Sequence, residues 1–417
     1  MTMNGYAILI LATLLLSYVL SLVADLLNLR SLQSGLPAEL EDAYDADDYR
    51  TSQTYTRVQT QFSWISGTFS LALILVFWYA GGFAALDTLV RGRQWGPVPT
   101  GVVYIGLLLL GKECLDLPFR LYATFGIEAR FGFNTTTPAT FAADLLKGLG
   151  LATVLGVPLL AGVLAFFTYT GPYAWLYCWI ATTLVALVLQ MIAPTWIMPL
   201  FNNFTPLEPG ALRDAIFAYA ASVRFPVDEV FVMDGSKRSN KSNAFFTGFG
   251  KHKRIALFDT LIERHTIPEL VAVLAHEVGH YQKRHIVQSL VLSIIHMGVM
   301  WFLLSVFLHH PGLFQAFYVE QPSVYAGLVF FGLLYSPVEL VLSIGLQIVS
   351  RRHEYEADAY AVQTVETPVA MQHALRKLAV HNLSNLTPHP FYVFLHYSHP
   401  PILQRLQALQ HLEPQAQ

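Results

Sequence analysis

The 417-residue sequence has little charge and almost no cysteine. Charged residues make up 13% of the chain, against about 25% in an average soluble protein, and apolar residues make up 54%. This excludes an ordinary water-soluble domain and indicates lipid as a solvent. The net charge of −3 argues against nucleic acid as a partner. Because Cys114 and Cys178 are the only cysteines, any metal must bind histidine and carboxylate groups.

The N-terminus lacks the basic segment that opens a secretion signal, and its apolar run exceeds the roughly 7 to 15 residues of a signal core. We interpret it as a retained membrane span. Seven stretches in all approach the roughly 20 apolar residues of a transmembrane helix. They are residues 6–27, 62–86, 101–115, 145–168, 175–198, 286–308 and 324–349. Lys112, Glu113 and Asp116 at the end of the third stretch either line a polar cavity or mark a helix end, since charge is costly in lipid.

Basic residues are concentrated in segment 201–285, whereas the loops 169–174 and 309–323 contain no Lys or Arg. The positive-inside rule therefore predicts that segment 201–285 is cytoplasmic. With seven alternating spans, the N-terminus is then outside and the C-terminus inside. Arg91 and Arg93 fall on the outer side and depart from this pattern.

Segment 201–285 contains three runs rich in β-branched and aromatic residues, VDEVFVMDG, SNAFFTGFG and KRIALFD. They predict three short strands of a small sheet. A helix follows, because Thr266 and Glu269 form a capping-box pattern with Pro268 in the first turn. The polar segment 351–417 predicts helices that pack on the sheet.

The predicted helix contains an HExxH sequence, His276-Glu277-Val-Gly-His280. With about 3.6 residues per turn, His276 and His280 project from one face and can bind one metal ion. Glu277 cannot join them in that geometry, so its carboxylate is free to take a proton from an attacking water. Zinc would acidify that water and polarise the scissile carbonyl, as in a metallopeptidase. By chance alone the pattern would occur in roughly a few per cent of such chains, so a third ligand is required.

The run Arg351-Arg-His-Glu-Tyr-Glu-Ala-Asp358 provides candidates for that ligand. Glu354 could bind the metal while Asp358, one helical turn later, accepts a hydrogen bond from a ligand histidine. Taken alone, such a cluster is more often a solvated acidic patch, but the HExxH sequence reverses that preference. His353 and Glu356 lie on the same turn, and spacing does not exclude either as the ligand.

The chain resembles the type I CAAX prenyl protease family of integral membrane zinc metallopeptidases, which process prenylated C-termini. The resemblance rests on PTWIMPLFNNFTPLEPG, DGSKRSNKSNAFFTGFGKHKRIALFDTL, LAHEVGH, SRRHEYEADAYA, SHPPILQRLQAL and IEARFGFNTTT. It implies a membrane α-helical fold, in which seven helices form a barrel around an intramembrane chamber. A gluzincin-like α+β zinc peptidase domain with one Zn²⁺ per chain would cap this chamber.

The resemblance also implies roles for individual residues. Glu354 is then the third metal ligand, and Asp358 supports the site. His399 and Arg405 match family positions that face the active site, where they could stabilise the oxyanion or hold a substrate carboxylate. Without the family, His399 would be a helix-start residue and Arg405 a surface charge.

The substrate would bind as an added strand along Asn243, Ala244, Phe245 and Phe246, with Asn243 as a candidate for a backbone contact. The other histidines of note, His285, His309 and His310, are interpreted as interfacial. The chain then divides into residues 1–200 with the first five spans, 201–285 as the peptidase core, 286–350 with the last two spans, and 351–417 as the C-terminal helical part of the peptidase domain.

The expected substrate is a peptide or membrane protein, with a prenylated CAAX-type C-terminus as the leading candidate. The acidic segment 28–61 departs from the family pattern. Short loops and a C-terminal EPQAQ without a retention signal favour a bacterial inner membrane, where prenylated proteins are not expected. One alternative is a quality-control protease for misfolded membrane proteins. Another is a non-enzymatic scaffold or transporter with structural zinc, but Glu277 would have no role in it, and the spans show no repeat symmetry.

Overall fold

The computed structural model describes residues 4–32, 35–37, 45–249 and 252–412, and every structural statement below concerns this part of the chain. The helices are α1 Gly5–Arg30, α2 Ala46–Tyr79, α3 Gly82–Arg91, α4 Pro97–Tyr122, α5 Pro138–Leu151, α6 Val157–Tyr169, α7 Ala174–Ile192, α8 Ala211–Ser222, α9 Asp259–Arg264, α10 Ile267–Gln282, α11 His285–Phe307, α12 Pro311–Gln315, α13 Val324–Thr364, α14 Val369–His381, α15 Pro390–His396 and α16 Ile402–Gln410. The strands are β1 Phe204–Pro206, β2 Glu229–Met233, β3 Ala244–Phe249 and β4 His252–Phe258. Glu39, Glu41 and Asp42 of the acidic segment, and the terminal EPQAQ, lie outside the described residues.

Seven helical segments are long and apolar enough to cross a membrane, and they overlap the seven predicted stretches. They are α1, α2, α4, α5 joined to α6, α7, α11 and α13. The boundaries of the second prediction are wrong. Helix α2 begins 16 residues earlier, at Ala46, and ends at Tyr79, and Gly81 then turns the chain with a φ of 73° into the separate helix α3.

Helix α4 is longer than its predicted span and carries Lys112, Glu113 and Asp116 well inside it. They do not mark a helix end: Lys112 pairs with Asp116, and Glu113 pairs with Arg120. On α11 and α13, His296 and Glu339 form a further pair at 2.9 Å, and the Glu339 side chain is half exposed. Charged groups on membrane helices need protein or water around them, and a polar chamber between the helices would meet that need.

A buried aromatic cluster ties the membrane helices together at one end. Phe317 stacks on Phe330 with ring centroids 4.0 Å apart, and Trp78 stacks on Phe317 at 4.7 Å. Phe330 precedes Glu354 by 24 residues on the same helix α13, which corresponds to about 36 Å. The cluster therefore lies at the far end of the membrane helices from the candidate site.

The sheet has four strands, not the three predicted, in the order β1-β2-β4-β3. Strands β2 and β4 are parallel, and the two other pairs are antiparallel. The strand that was missed, β1, has only three residues and ends in Pro206, and proline is confined to edges of a sheet. At the opposite edge, β3 has a strand neighbour on one side only within the described residues.

Helix α10 begins as the sequence predicts. Thr266 caps it, its side chain and that of Glu269 form a capping box, and the Thr266 backbone N–H donates to Glu269 at 2.8 Å. The helix packs against the C-terminal part of α13. Both helices carry fully buried alanines, Ala272 and Ala275 on α10 and Ala357 and Ala361 on α13. These small side chains let the two helices approach closely.

Gly279 lies at the closest point of this contact. A Cβ atom there would lie 3.0 Å from both the Cα and the carbonyl oxygen of Ala357. The glycine in the HExxH sequence is therefore required by helix packing, and this packing brings α10 and α13 to the distance at which their side chains can share an ion.

The C-terminal segment is helical, as predicted, and its main neighbours are α10, α13 and α1. Helix α14 packs on α10, α15 packs on α1 and α13, and α16 packs on α13 and α14. The segment shares a buried core with the sheet residues Ile255 and Leu257. Asn382 adds a polar link, because it accepts from the Ser242 N–H and donates to the Ser242 carbonyl, just before β3.

Candidate metal centre

Two imidazoles project from one face of α10. His276 and His280 have their Nε2 atoms 3.1 Å apart, and the rings are nearly perpendicular, with an interplanar angle of 84°. Both Nε2 atoms point to the same place, as two ligands of one metal ion would. His276 is buried, and His280 is partly accessible.

Helix α13 brings Glu354 to this point. One carboxylate oxygen lies 3.5 Å from His276 Nε2, and the other lies 3.4 Å from His280 Nε2. One ligand atom from each of the three residues lies within 4.8 Å of the other two. His353 and Glu356, which the spacing left open as ligands, point elsewhere and contact Gln288 and His285.

The donor set fits zinc. Two imidazole nitrogens and one carboxylate are a common arrangement in catalytic zinc sites, which leave a fourth position for water or substrate. Glu277 follows His276 directly and is partly exposed. It therefore neighbours the site without being one of the three converging side chains.

Asp358 and Arg405 support the centre from its buried side. Asp358 lies 2.8 Å from His276 Nδ1, the ring nitrogen that faces away from the centre. Arg405 donates to both oxygens of Asp358 at 2.6 and 2.8 Å, and its third nitrogen is 3.3 Å from Glu354. Arg405 is 7% exposed, so the alternative interpretation as a surface charge is wrong.

The charges of this cluster favour a cation at His276. Burial lowers the pKa of His276, but its hydrogen bonds to Asp358 and Glu354 outweigh burial and raise it to about 9. Burial also lowers the pKa of Arg405, but Asp358 and Glu354 raise it above its ordinary value. Carboxylates that stabilise a proton on an imidazole also stabilise a metal ion in its place.

His399 lies on the accessible side of the centre. Its Nδ1 is 2.9 Å from Glu354, and its side chain is 66% exposed. It precedes Pro400 and Pro401, and α16 begins at Ile402. The SHPPILQR segment therefore contributes two side chains to the centre, one from the helix and one from the turn before it.

Sequence reasoning missed a third histidine beside the two on α10. His285 was interpreted as interfacial, but it is 2% exposed and lies with its Nδ1 3.1 Å from His280 Nδ1. His309 and His310, the other two histidines interpreted as interfacial, are exposed. In the sequence, His285 stands out only by its position five residues after His280. That spacing does not place two residues on one face of a continuous helix, and in the structure α10 ends between them.

The predicted substrate strand forms β3, the edge strand of the sheet near α10. Ala244, Phe245 and Phe246 pair with Leu257, Ala256 and Ile255 of β4. Asn243 precedes the strand and is exposed, and its side chain accepts from the Ala244 N–H at 2.9 Å.

The motif IEARFGFNTTT anchors the loop before this strand. Thr135 and Thr136 donate to the carbonyls of Ser236 and Arg238, and Asn240 donates to Gly132. Lys241 pairs with Glu128 at 2.9 Å. This segment therefore fixes the approach of the chain to β3.

Comparisons with known proteins agree along the chain. Residues 25–203 match the model "CAAX prenyl protease N-terminal, five membrane helices", and residues 206–413 match "Peptidase family M48". The chain is 35% identical to a CAAX prenyl protease 1 homolog of Oryza sativa, covering 96% of each chain. It is also 35% identical to the CAAX prenyl protease 1 of Saccharomyces cerevisiae, covering 91% of this chain and 89% of that protein.

The crystal structure of S. mikatae Ste24p has the same fold. It superposes with a TM-score of 0.90 at 34% identity, covering 97% of this chain and 99% of that one. The predicted fold class, a seven-helix membrane barrel around a chamber with an α+β peptidase domain, is therefore confirmed.

Proposed function

The chain belongs to the CAAX prenyl protease family within peptidase family M48, and on that premise we propose that it hydrolyses C-terminal, CAAX-type peptides with a zinc ion bound by His276, His280 and Glu354. It is an integral membrane metalloendopeptidase. The alternative of a non-enzymatic scaffold or transporter is thereby set aside. The observation that carries the proposal is the convergence of these three side chains on one point beside Glu277.

A bound Zn²⁺ would act there as a Lewis acid, polarising the scissile carbonyl and making water acidic near neutral pH. Glu277 is the general base: it neighbours the ligands, is accessible, and can accept the proton of the attacking water. In the next step it can deliver that proton to the leaving amine.

Asp358 and Arg405 act by position. Asp358 accepts from His276 Nδ1 and so directs Nε2 of the same ring towards the metal. The Nε and both Nη atoms of Arg405 lie near Asp358 or Glu354, and the guanidinium is buried. We therefore assign oxyanion stabilisation to His399, whose accessible imidazole lies beside Glu354 and can donate to the developing charge.

The substrate would extend the sheet at β3. An edge strand offers unpaired backbone groups, and a peptide added there gains main-chain hydrogen bonds irrespective of its sequence. Strand β3 lies next to α10, so such a peptide would pass close to Glu277. Asn243, exposed at the start of β3, could bind the backbone of this peptide.

The division at residues 200, 285 and 350 is also part of the proposal. With this division, the metal ligands lie in segments 201–285 and 351–417, and the helices around the chamber lie in segments 1–200 and 286–350. From the Lys and Arg of segment 201–285 we place the zinc site on the cytoplasmic side of the membrane. The proposal of a bacterial inner membrane rests separately on the short loops between the spans. A quality-control protease would have a similar site, but the likeness to CAAX prenyl proteases over the whole chain favours the peptide substrate.

The test is cleavage of a fluorogenic farnesylated CAAX peptide by the purified full-length protein in detergent. Wild type, Glu277→Ala and a chelated sample are compared, and the same peptide without the farnesyl group is the matched substrate control. We expect cleavage by wild type only, restored to the chelated sample by Zn²⁺. Zinc-loaded wild type that cleaves neither peptide would show that the substrate class is wrong.

A further inference from the structure

The turn between α10 and α11 returns the chain to the metal centre. Helix α10 ends at Gln282, and Arg284 adopts a left-handed conformation with a φ of 58°. This costs about 1 kcal/mol or more for a non-glycine residue. Helix α11 then begins at His285, whose ring is 5.2 Å from that of His280, centroid to centroid.

The geometry fixes which nitrogens carry protons. His280 directs Nε2 to the centre, where it lies 3.1 Å from His276 Nε2 and 3.4 Å from Glu354. A metal on Nε2 leaves the proton of the neutral ring on Nδ1. That Nδ1 lies 3.1 Å from His285 Nδ1, which must therefore accept, and the proton of His285 is left on Nε2.

His285 Nε2 points to a carboxylate. It lies 3.1 Å from an oxygen of Glu356, which is partly exposed, and Arg352 donates to the other oxygen of Glu356 at 2.8 Å. The chain of donors therefore runs from His280 through His285 to Glu356, and each acceptor is in place. His276 differs, because its Nδ1 meets Asp358 directly.

A second ring holds His285 in this orientation. His353 stacks on it with centroids 4.0 Å apart and an interplanar angle of 8°. The His353 Nε2 is itself 3.0 Å from the side-chain oxygen of Gln288. Because both rings are buried, His285 cannot turn without displacing its neighbour.

We propose that His285 and Glu356 are positioning residues for the metal ligand His280: they fix its tautomer and ring orientation and thereby increase zinc affinity. The proposal rests on the zinc site of the proposed function. Outer partners of ligand histidines commonly change metal affinity by about 10 to 100-fold when removed. Here the partner is an imidazole that passes the hydrogen bond on to a carboxylate near the surface.

The experiment measures zinc affinity of the full-length protein in detergent by competition with a chromophoric chelator. The His285→Phe variant keeps an aromatic ring to stack on His353 but cannot accept from His280, whereas His285→Gln keeps an acceptor and a donor. We expect about 10 to 100-fold weaker binding for the Phe variant and affinity within about threefold of wild type for the Gln variant. His296→Gln, a histidine on the same helix outside this network, is the matched control and should bind as wild type does.

A spectroscopic measurement separates positioning from packing. The visible absorption of Co²⁺-substituted protein reports ligand geometry, and we expect it to change in His285→Phe and not in His285→Gln. Wild-type affinity and spectrum in His285→Phe would overturn the proposal, as would equal loss in both variants. If His285→Phe does not fold, Glu356→Ala and Glu356→Gln decide in its place, with weaker zinc binding expected for the Ala variant only.

Failure of the proposed function gives a different result. Wild type that binds zinc but cleaves no peptide would refute the substrate class. The roles of His285 and Glu356 would then still be decided by the zinc affinities of the variants. Wild type that binds no zinc would overturn both.

Discussion

Replacing Arg405 tests how the buried side of the metal centre is held together. The guanidinium is 7% exposed, binds Asp358 at 2.6 and 2.8 Å, and lies 3.3 Å from Glu354. Removing one member of a buried, hydrogen-bonded ion pair typically costs about 3–5 kcal/mol, because the remaining charge is left without a partner. We expect Arg405→Met, which retains much of the apolar volume, to lower the free energy of unfolding of the metal-free protein by this amount.

The assay is unfolding in detergent with increasing SDS, on chelated and zinc-loaded protein. Zinc supplies positive charge beside Glu354, so Arg405→Met should lower the free energy of unfolding by less when zinc is bound. A double-mutant cycle with Asp358→Asn isolates the interaction between Arg405 and Asp358. The loss of unfolding free energy in the double variant should be smaller than the sum of the two single losses by at least about 1 kcal/mol. Arg50→Met is the control, since Arg50 pairs with Asp47 on the exposed surface and should change stability by at most about 1 kcal/mol. An Arg405→Met variant no less stable than Arg50→Met, or strictly additive losses, would refute the reasoning.

Three further predictions follow from the same contacts. In Gly279→Ala, the new Cβ would meet the backbone of Ala357 at 3.0 Å, and we expect a loss of about 1–3 kcal/mol in unfolding experiments together with weaker zinc binding. Burial raises the pKa of Glu269, but hydrogen bonds from Lys377 and Thr266 outweigh it and hold that pKa below its ordinary value. Its stabilisation is therefore fully present above the unfolded pKa of about 4.3 and is lost as the pH falls through the lower folded pKa. The difference in stability between wild type and Glu269→Gln should be largest at neutral pH and should shrink as the pH falls through that folded pKa. For Asn243→Ala we expect an increase in KM of up to about tenfold with unchanged zinc content, and an unchanged KM would exclude the substrate contact.

The membrane helices could be predicted because a span is recognised by the length and apolar composition of a sequence stretch alone. The method failed where two helices adjoin: the apolar run 62–86 continues across the break at Gly81, so a window average cannot detect it. Strand β1 was missed for a related reason, since three residues ending in proline give no alternation.

The residues of the centre that share a helical face could also be anticipated. His276 with His280, and Glu354 with Asp358, follow from spacing, and the structure brings all four together. Spacing alone could not choose Glu354 over His353 or Glu356, because that depends on how α13 is rotated against α10.

His285 and Arg405 lay beyond such reasoning. His285 reaches His280 only because Arg284 adopts a left-handed conformation, which the sequence does not indicate for arginine. Arg405 is a charged residue in a polar segment, and its burial depends on tertiary contacts between α16 and α13.

The most direct test of the central claim is metal content measured on matched variants of the purified protein. We predict one zinc per chain in wild type and in Glu277→Ala, and its loss in Glu354→Ala, with peptide cleavage absent from both variants. This outcome would separate the ligand from the general base. Zinc retained in Glu354→Ala, or cleavage retained in Glu277→Ala, would contradict the account.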